Sequence, residues 1–363
     1  MDNKAIWKKL NTPVFFIAEI VKNFIQTKEE RPTTEYLDNA KALIYAAKIA
    51  GADAVKFQTH NVDDEQLKVS VVSPHFVGGE RYDWVKRNTE IADAAFWRAL
   101  KDYCDELGIM FFSTPMSRGA AQVLEGIGTP VWKVGSGDIL DFVMLDYIAA
   151  TGKPIIISSG MSTLEEIDRS MSFLKKRNQA IILLYCVSQY PCPPEAFHLE
   201  NIGFFKDRYG VTIGFSDHSI GGDAASDAVK MGAGMIEKHF SFSRDLWGSD
   251  HKVSMMPEEF KDMVDNIRKM GNINTDRYTE QGAAVGIKLL SDDEAVFRPI
   301  FRKSLVAGRK IKAGTVLQKD MIYAVRPQAY AGGLSSEEYE NVIGKRVIKD
   351  LDRYDPIVGS ILS

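Results

Sequence analysis

The segment 214–239 constrains the fold of this chain more than any other stretch. It opens with Gly214-Phe-Ser-Asp-His218 and closes with Ile236-Glu-Lys-His239, and each histidine ends a short apolar run, 211–215 before the first and Met235-Ile236 before the second. Between them, 221–232 carries Ala224, Ala225, Ala228 and Val229 at helical spacing, so the unit is strand, helix, strand. Strands joined by such a crossover lie parallel. Parallel neighbours present their C-terminal ends on one face, where α/β proteins build their sites. His218 and His239 arrive on that face together and can converge on one metal ion.

The same alternation runs upstream. Buried strands are expected at 14–19, 54–58, 109–113, 131–134, 154–158 and 180–186, with helices at 34–51, 96–108, 118–127, 142–151 and 164–176. With the two histidine strands this gives eight strands over roughly residues 14–270, the count and length of a (β/α)8 TIM barrel in the α/β class. Polar residues gather at or just past the strand C-terminal ends: Glu19, Lys56, Gln58, Thr114, Lys133, Ser136, Ser158, Ser188, His218 and His239. A lysine inside a strand made for burial is costly unless it faces a polar site. One more amphipathic helix is expected at 257–270, then a polar connection over 271–293. From about Glu294 the texture turns to short β-type runs, 304–307 and 316–317, broken by Gly308, Gly314 and Gly332-Gly333. That pattern suggests a small, mainly β second domain. The expected division is a barrel domain at 1–285, a linker at 286–297 and a tail domain at 298–363.

Composition removes several classes of partner. A net charge of -4 with 26% charged residues gives no polyanion-binding face, so nucleic acid is not an expected partner. The longest apolar stretches, 154–158 and 180–187, are far short of the roughly 20 residues of a membrane helix. Residues 1–10 lack the apolar core of a signal peptide. Cys104, Cys186 and Cys192 are an odd number without paired spacing, which argues for reduced thiols and a cytoplasmic protein.

A lone histidine is more often a core or loop residue than a ligand. His218 and His239 differ because both end adjacent strands with acids beside them that can orient the rings. Two imidazoles are too few to close a structural site, so water and substrate would complete the shell, as at a Lewis-acid centre. His60, His75, His198 and His251 are expected in loops or at the rim. Lys56 and Lys133, with Thr114, Ser136 and Ser158 around them, suit a phosphate and a carboxylate. Gly135-Ser-Gly-Asp138 lacks the third glycine of a dinucleotide fingerprint. Glu19 ends the first strand facing the same mouth, and Asp250 follows the last strand after a turn.

These residues resemble the sialic acid synthases, which join phosphoenolpyruvate to an N-acylated hexosamine, N-acetylmannosamine or a related amino sugar, to make a nine-carbon 2-keto sugar acid. The matching runs are Val55-Lys-Phe-Gln-Thr59, Phe112-Ser-Thr-Pro115, Lys133-Val-Gly-Ser-Gly137, Pro154-Ile-Ile-Ile-Ser-Ser-Gly-Met161, Cys186-Val-Ser-Gln-Tyr-Pro191, Gly214-Phe-Ser-Asp-His218 and Ile236-Glu-Lys-His-Phe240. The tail, from Lys303-Ser-Leu-Val-Ala307 to Ile343-Gly-Lys345, is similar to the antifreeze-protein-like (SAF) domain that follows the barrel in that family.

The resemblance implies that His218 and His239 hold Mn2+, or else Mg2+, Co2+ or Fe2+. It implies that Lys56, Thr114, Lys133, Ser136, Ser158 and Ser216 hold phosphoenolpyruvate, and that Glu19, Gln58, Tyr190 and Asp250 contact the sugar. Asp138, Ser188 and Glu294 join the substrate-binding expectation. Arg326 is expected to reach the site of a partner subunit in a homodimer with exchanged tails. Four positions depart from the family's pattern, and the first and last touch the sugar side. Val21-Lys-Asn-Phe-Ile-Gln26 replaces the family's usual run after the first strand, Asp138 replaces a commoner Glu, Ser188 stands where some members have Asn, and Gln328 follows Arg326-Pro327 in place of Gly. The alternatives are a condensing enzyme for a phosphorylated aldose, which an extra basic cluster at the mouth would favour, and a non-catalytic carbohydrate-binding barrel.

Overall fold

A computed structural model describes residues 2–73, 79–178, 180–271 and 288–363. Eight parallel strands form the barrel: β1 (Phe15–Val21), β2 (Ala54–Thr59), β3 (Met110–Pro115), β4 (Trp132–Val134), β5 (Ile155–Ser158), β6 (Ile181–Cys186), β7 (Thr212–Asp217) and β8 (Met235–His239). They are ordered β3-β2-β1-β8-β7-β6-β5-β4, and the end strands β3 and β4 lie side by side, so the sheet nearly closes.

Side chains alternate across a strand, and here the alternation sorts two kinds of interior. The inward phase begins apolar, with Phe15, Ile17, Ala54, Met110, Phe112, Val131, Ile156, Ile182, Leu184 and Met235 in one buried cluster. The helix Asn3–Leu10 plugs its lower end with Ile6 and Leu10. At inward position 214 only glycine fits, because a Cβ would lie 2.5 Å from Leu184 Cδ2 and 2.7 Å from the Met235 carbonyl. The outward phase, Phe16, Ala18, Val55, Phe57, Phe111, Trp132, Ile155, Leu183, Phe215 and Ile236, packs under the helices.

The helices follow the apolar periodicity, at Thr33–Ile49, Ala94–Leu107, Arg118–Gly126, Phe142–Ala150, Leu164–Lys175, Asp223–Lys230 and Pro257–Lys269. Local chemistry sets their ends: Asp93 caps Ala94–Leu107 by accepting from Phe96 N, and Gly108 stops it in the left-handed region. The helices Arg81–Ile91 and Asn201–Tyr209 were not expected. The first buries Arg81 and Asn88 beside Trp84 and Val85, which breaks the hydrophobic period.

The tail contains less strand than its texture suggests. Its one sheet pairs β9 (Ser304–Ala307) with β10 (Ile322–Val325) antiparallel. Val316 forms only an isolated bridge to Arg346, and Ile311–Leu351 and Val347–Leu362 are likewise single bridges. The expected barrel boundary at 285 lies outside the described residues. The described part of the expected linker is docked, with Lys288, Glu294 and Phe297 all buried. The tail sits on the barrel of its own chain: Arg298 and Arg302 clasp Glu166, Lys303 binds Asp138 and Asp141 at 2.8 and 2.7 Å, and Arg118 donates to the Lys319 and Ile322 carbonyls. No helix among the described residues is long and apolar enough to cross a membrane, and the three cysteines are buried and unbridged.

Candidate active site

Two residues further along the inward phase, the barrel interior turns polar. Glu19, Lys56, Thr114, Lys133, Ser158, Ser216 and Glu237 replace the apolar residues below them and line one cleft of about 1090 Å³ that opens at the C-terminal face. Lys56 pairs closely with Glu19, donates to Thr114 Oγ1 at 3.1 Å and stands 3.7 Å from Glu237. Lys133 donates to Ser158 Oγ at 2.7 Å and stands 3.7 Å from the other Glu237 oxygen, which accepts from Ser216 at 3.1 Å. Glu237 thus bridges the two lysines. Sequence reading passed it over, although the inward phase of β8, from Met235 to His239, passes through it.

The carboxyls differ in state. Burial pushes Glu19 up to about 8 against the pull of Lys56, with Glu237 adding to the rise. Burial also opposes the charge of Glu237, but Lys133 and Lys56 outweigh it and hold its carboxyl below the ordinary value. Glu19 is therefore a protonated acid near neutral pH while Glu237 stays ionised.

The rings of His218 and His239 stand 5.4 Å apart, centre to centre. His218 Nδ1 lies 2.8 Å from the Val187 carbonyl, which can only accept, so Nδ1 carries a proton and Nε2 is the atom left to bind. Burial disfavours the His218 imidazolium, yet Cys186 and the Val187 carbonyl raise its pKa, so metal binding there would release a proton. Burial pushes His239 down to about 3, and its Nδ1 is buried without a hydrogen-bond partner. A neutral buried imidazole with an unsatisfied nitrogen beside a second histidine fits a divalent ion. Among the described residues no group of three or more His, Cys, Asp and Glu is placed to hold one, so substrate or water oxygens would complete the shell.

Of the other expected residues, Gln58, Ser136, Tyr190 and Asp250 line the cleft, with the Tyr190 ring tilted 41° against His218 at 4.2 Å between centroids. Asp138 also lines it, with Oδ1 bound by Lys303 and Arg326 and Oδ2 buried without a hydrogen-bond partner. Three expectations change. Ser188 lies fully buried behind Gly160, where a Cβ would meet its hydroxyl at 2.2 Å, and it does not face the cleft. Glu294 is consumed structurally: Oε1 accepts from Met161 N and Ser188 N at 2.8 and 3.0 Å, and Oε2 binds Lys288 at 2.6 Å. Arg326 is wholly buried against Asp138 of its own chain, because the tail folds onto that same barrel.

His60 and His251 are buried, not rim residues. His60 Nδ1 binds Glu65 at 2.8 Å, and His251 Nδ1 binds Ser241 at 2.7 Å. His198 is exposed as expected, and His75 lies outside the described residues. The mouth adds groups that the sequence did not single out, Lys22, Arg81, Trp84, Phe297 and Phe301. They come from the turn after β1, the unexpected helix and the docked linker, and only packing brings them together.

The fold and site define a class, a TIM-barrel enzyme with an anion pocket and a histidine pair at the catalytic face. Residues 43–278 match the NeuB family and residues 302–361 match the SAF domain. An uncharacterised protein of Methanocaldococcus jannaschii is 36% identical, covering 89% of each chain. The N,N'-diacetyllegionaminic acid synthase of Legionella pneumophila is 32% identical, covering 87% of each chain. The crystal structure of the spore coat polysaccharide biosynthesis protein of Bacillus subtilis superposes with a TM-score of 0.72 at 30% identity, covering 97% of this chain and 96% of that one. The chain belongs to the NeuB family and is a synthase.

Proposed function

We propose that this synthase condenses phosphoenolpyruvate with the open-chain form of an N-acylated amino sugar, giving a nine-carbon 2-keto sugar acid and phosphate. The observation that carries the reading is the pair Lys56 and Lys133, shared through Glu237 and faced by the hydroxyls of Thr114, Ser158 and Ser216. Two ammonium groups with one ionised carboxylate between them leave positive charge for a ligand that carries both phosphate and carboxylate. The legionaminic acid synthase among the relatives supports an amino-sugar acceptor.

Lys56 and Lys133 hold the phosphoenolpyruvate anion so that its methylene carbon faces the aldehyde carbon of the sugar. A C–C bond forms there, and the carbon bearing phosphate becomes electron-poor. Water adds to that carbon, and phosphate leaves by C–O cleavage. Glu19, protonated near neutral pH, stands at Lys56 to deliver a proton to the oxygen that gains charge. Tyr190 and Phe297, 6.0 Å apart, wall the histidine side and limit water. A divalent ion on His218 and His239 would supply Lewis acidity to the aldehyde oxygen.

The test is phosphate release from phosphoenolpyruvate across a panel of N-acylated amino sugars, with Mn2+, Mg2+ or Co2+ added to chelator-treated protein, beside His218→Ala and Lys133→Met. Release that requires sugar, metal and both side chains is expected. Phosphoenolpyruvate binding unchanged in Lys133→Met, with no release for any sugar, would overturn the reading in favour of a binding protein.

A further inference from the structure

His60 is a buried base that the condensation has left without a task. The inward phase of β2 runs through Lys56 and Gln58 to His60, and these three line the cleft while Val55, Phe57 and Thr59 do not. Four residues past Lys56 is roughly 13 Å along the strand direction, toward the mouth. His60 is only 6% exposed, and among the described residues its Nε2 is buried without a hydrogen-bond partner.

The other ring nitrogen is held, with Nδ1 2.8 Å from Glu65 Oε2. Burial opposes the charge of Glu65, but His60, Arg326 and Arg81 outweigh it and hold its carboxyl down at about 2. Burial, helped by Lys22 and Arg81, outweighs the pull of Glu65 and lowers the pKa of His60. The Glu65 carboxylate therefore accepts from Nδ1–H of a neutral ring, and Nε2 keeps a free lone pair. The pair is fixed by its surroundings. Asn61 caps the short helix Val62–Glu65 by accepting from Asp63 N, and that turn brings Glu65 back to His60. The tail pins the turn: Arg326 N donates to the Glu65 carbonyl, and Leu67 N donates to the Arg326 carbonyl, both at 2.8 Å. An imidazole with its tautomer set by a carboxylate and its other nitrogen bare on a cleft wall suits an O–H donor, and it is costly left empty.

We propose that His60 Nε2 accepts a hydrogen bond from the terminal hydroxyl of the acceptor sugar, so that the His60–Glu65 pair favours acceptors with that hydroxyl over their 6-deoxy forms. The proposal rests on the condensation reading above. With phosphoenolpyruvate at Lys56 and Lys133 and the aldehyde carbon at its methylene, the far end of the open chain is the part that extends up β2 to His60.

The experiment compares kcat/KM, read as phosphate release at saturating phosphoenolpyruvate, for N-acetylated amino sugars each paired with its 6-deoxy form. The wild type is expected to use the 6-deoxy form about tenfold to a hundredfold less well, the range of one hydrogen bond into a buried site. In His60→Phe the 6-hydroxy sugar should fall by the same factor while the 6-deoxy form is used as in the wild type, so the two losses do not add. His60→Gln, whose amide oxygen can take the place of Nε2, should restore part of the preference. A wild type that uses both forms equally overturns the inference and keeps the condensation reading, and that ratio decides even where His60→Phe does not fold. Equal loss of both forms in His60→Phe and His60→Gln also overturns it, since His60 would then only tie the loop. No release with any acceptor overturns the condensation reading and this inference together.

Discussion

Lys56 and Lys133 on the inner wall of the barrel, and Lys238 on its outer wall, are all buried lysines in strands, but they are held in different ways. Lys238 has a set of its own: Asp217 Oδ2 at 2.7 Å, the Ser219 carbonyl at 2.7 Å and the Ser219 hydroxyl at 3.1 Å. Nothing remains for a ligand to satisfy. Lys56 is bound by Glu19 and Thr114, and Lys133 by Ser158 and the Val134 carbonyl, but the carboxylate they share, Glu237, stands 3.7 Å from each, beyond hydrogen-bond length, and both line the cleft. A buried charge closed off with its partners belongs to stability, whereas one that lines a cleft with its shared carboxylate out of hydrogen-bond reach can still serve a ligand.

The largest effect should come from the inner wall. Lys133→Met is expected to lower kcat/KM of the folded protein by about a thousandfold, as loss of a charge-stabilising donor does. A decrease under tenfold in phosphate release would break the contrast.

On the outer wall, Asp217→Asn leaves Lys238 without its anion and should cost about 3–5 kcal/mol in urea unfolding. Activity should fall only as folded protein is lost. A stable but inactive variant would place Lys238 in the site instead.

Ligand-induced stabilisation sharpens the same distinction. At 100 times its Kd, phosphoenolpyruvate should stabilise the wild type by about 2.7 kcal/mol, and Asp217→Asn by a similar increment. Lys133→Met should show almost none in thermal melts.

The pH dependence of Glu19 tests the acid on the same inner wall. Its folded pKa of about 8 lies above the ordinary 4.5, so the folded chain binds the extra proton between those values. Its contribution to stability is full below pH 4.5 and is lost as pH rises through 8, with a slope of at most about 1.4 kcal/mol per pH unit. Glu19→Gln should flatten that slope in urea titrations at pH 5, 7 and 9 and, with no proton to deliver, should lower turnover below pH 8.

The strands, their order of polarity and the catalytic face could be read from residue types alone. Phe15, Ile17 and Glu19, or Met235, Glu237 and His239, alternate with a period of two that local backbone geometry imposes on any strand. Where that period turns from apolar to polar, the mouth begins, which is why Lys56, Lys133, His218 and His239 stood out. The same rule would have found Glu237, had the inward phase of β8 been followed between its ends.

Tertiary packing decided the rest. Glu294 sits in the linker and Arg326 in the tail, and the tail's position depends on Lys303 and Arg302 meeting acids of the barrel and on Arg118 of the barrel meeting tail carbonyls, so their roles as ties have no local signature. Lys22 and Arg81 are about sixty residues apart and reach one cleft only because the turn after β1 and the helix Arg81–Ile91 both line it. Strand parity is a short-range property of the backbone. Convergence of loops, linker and tail is set by which buried charges find partners once the whole chain has folded.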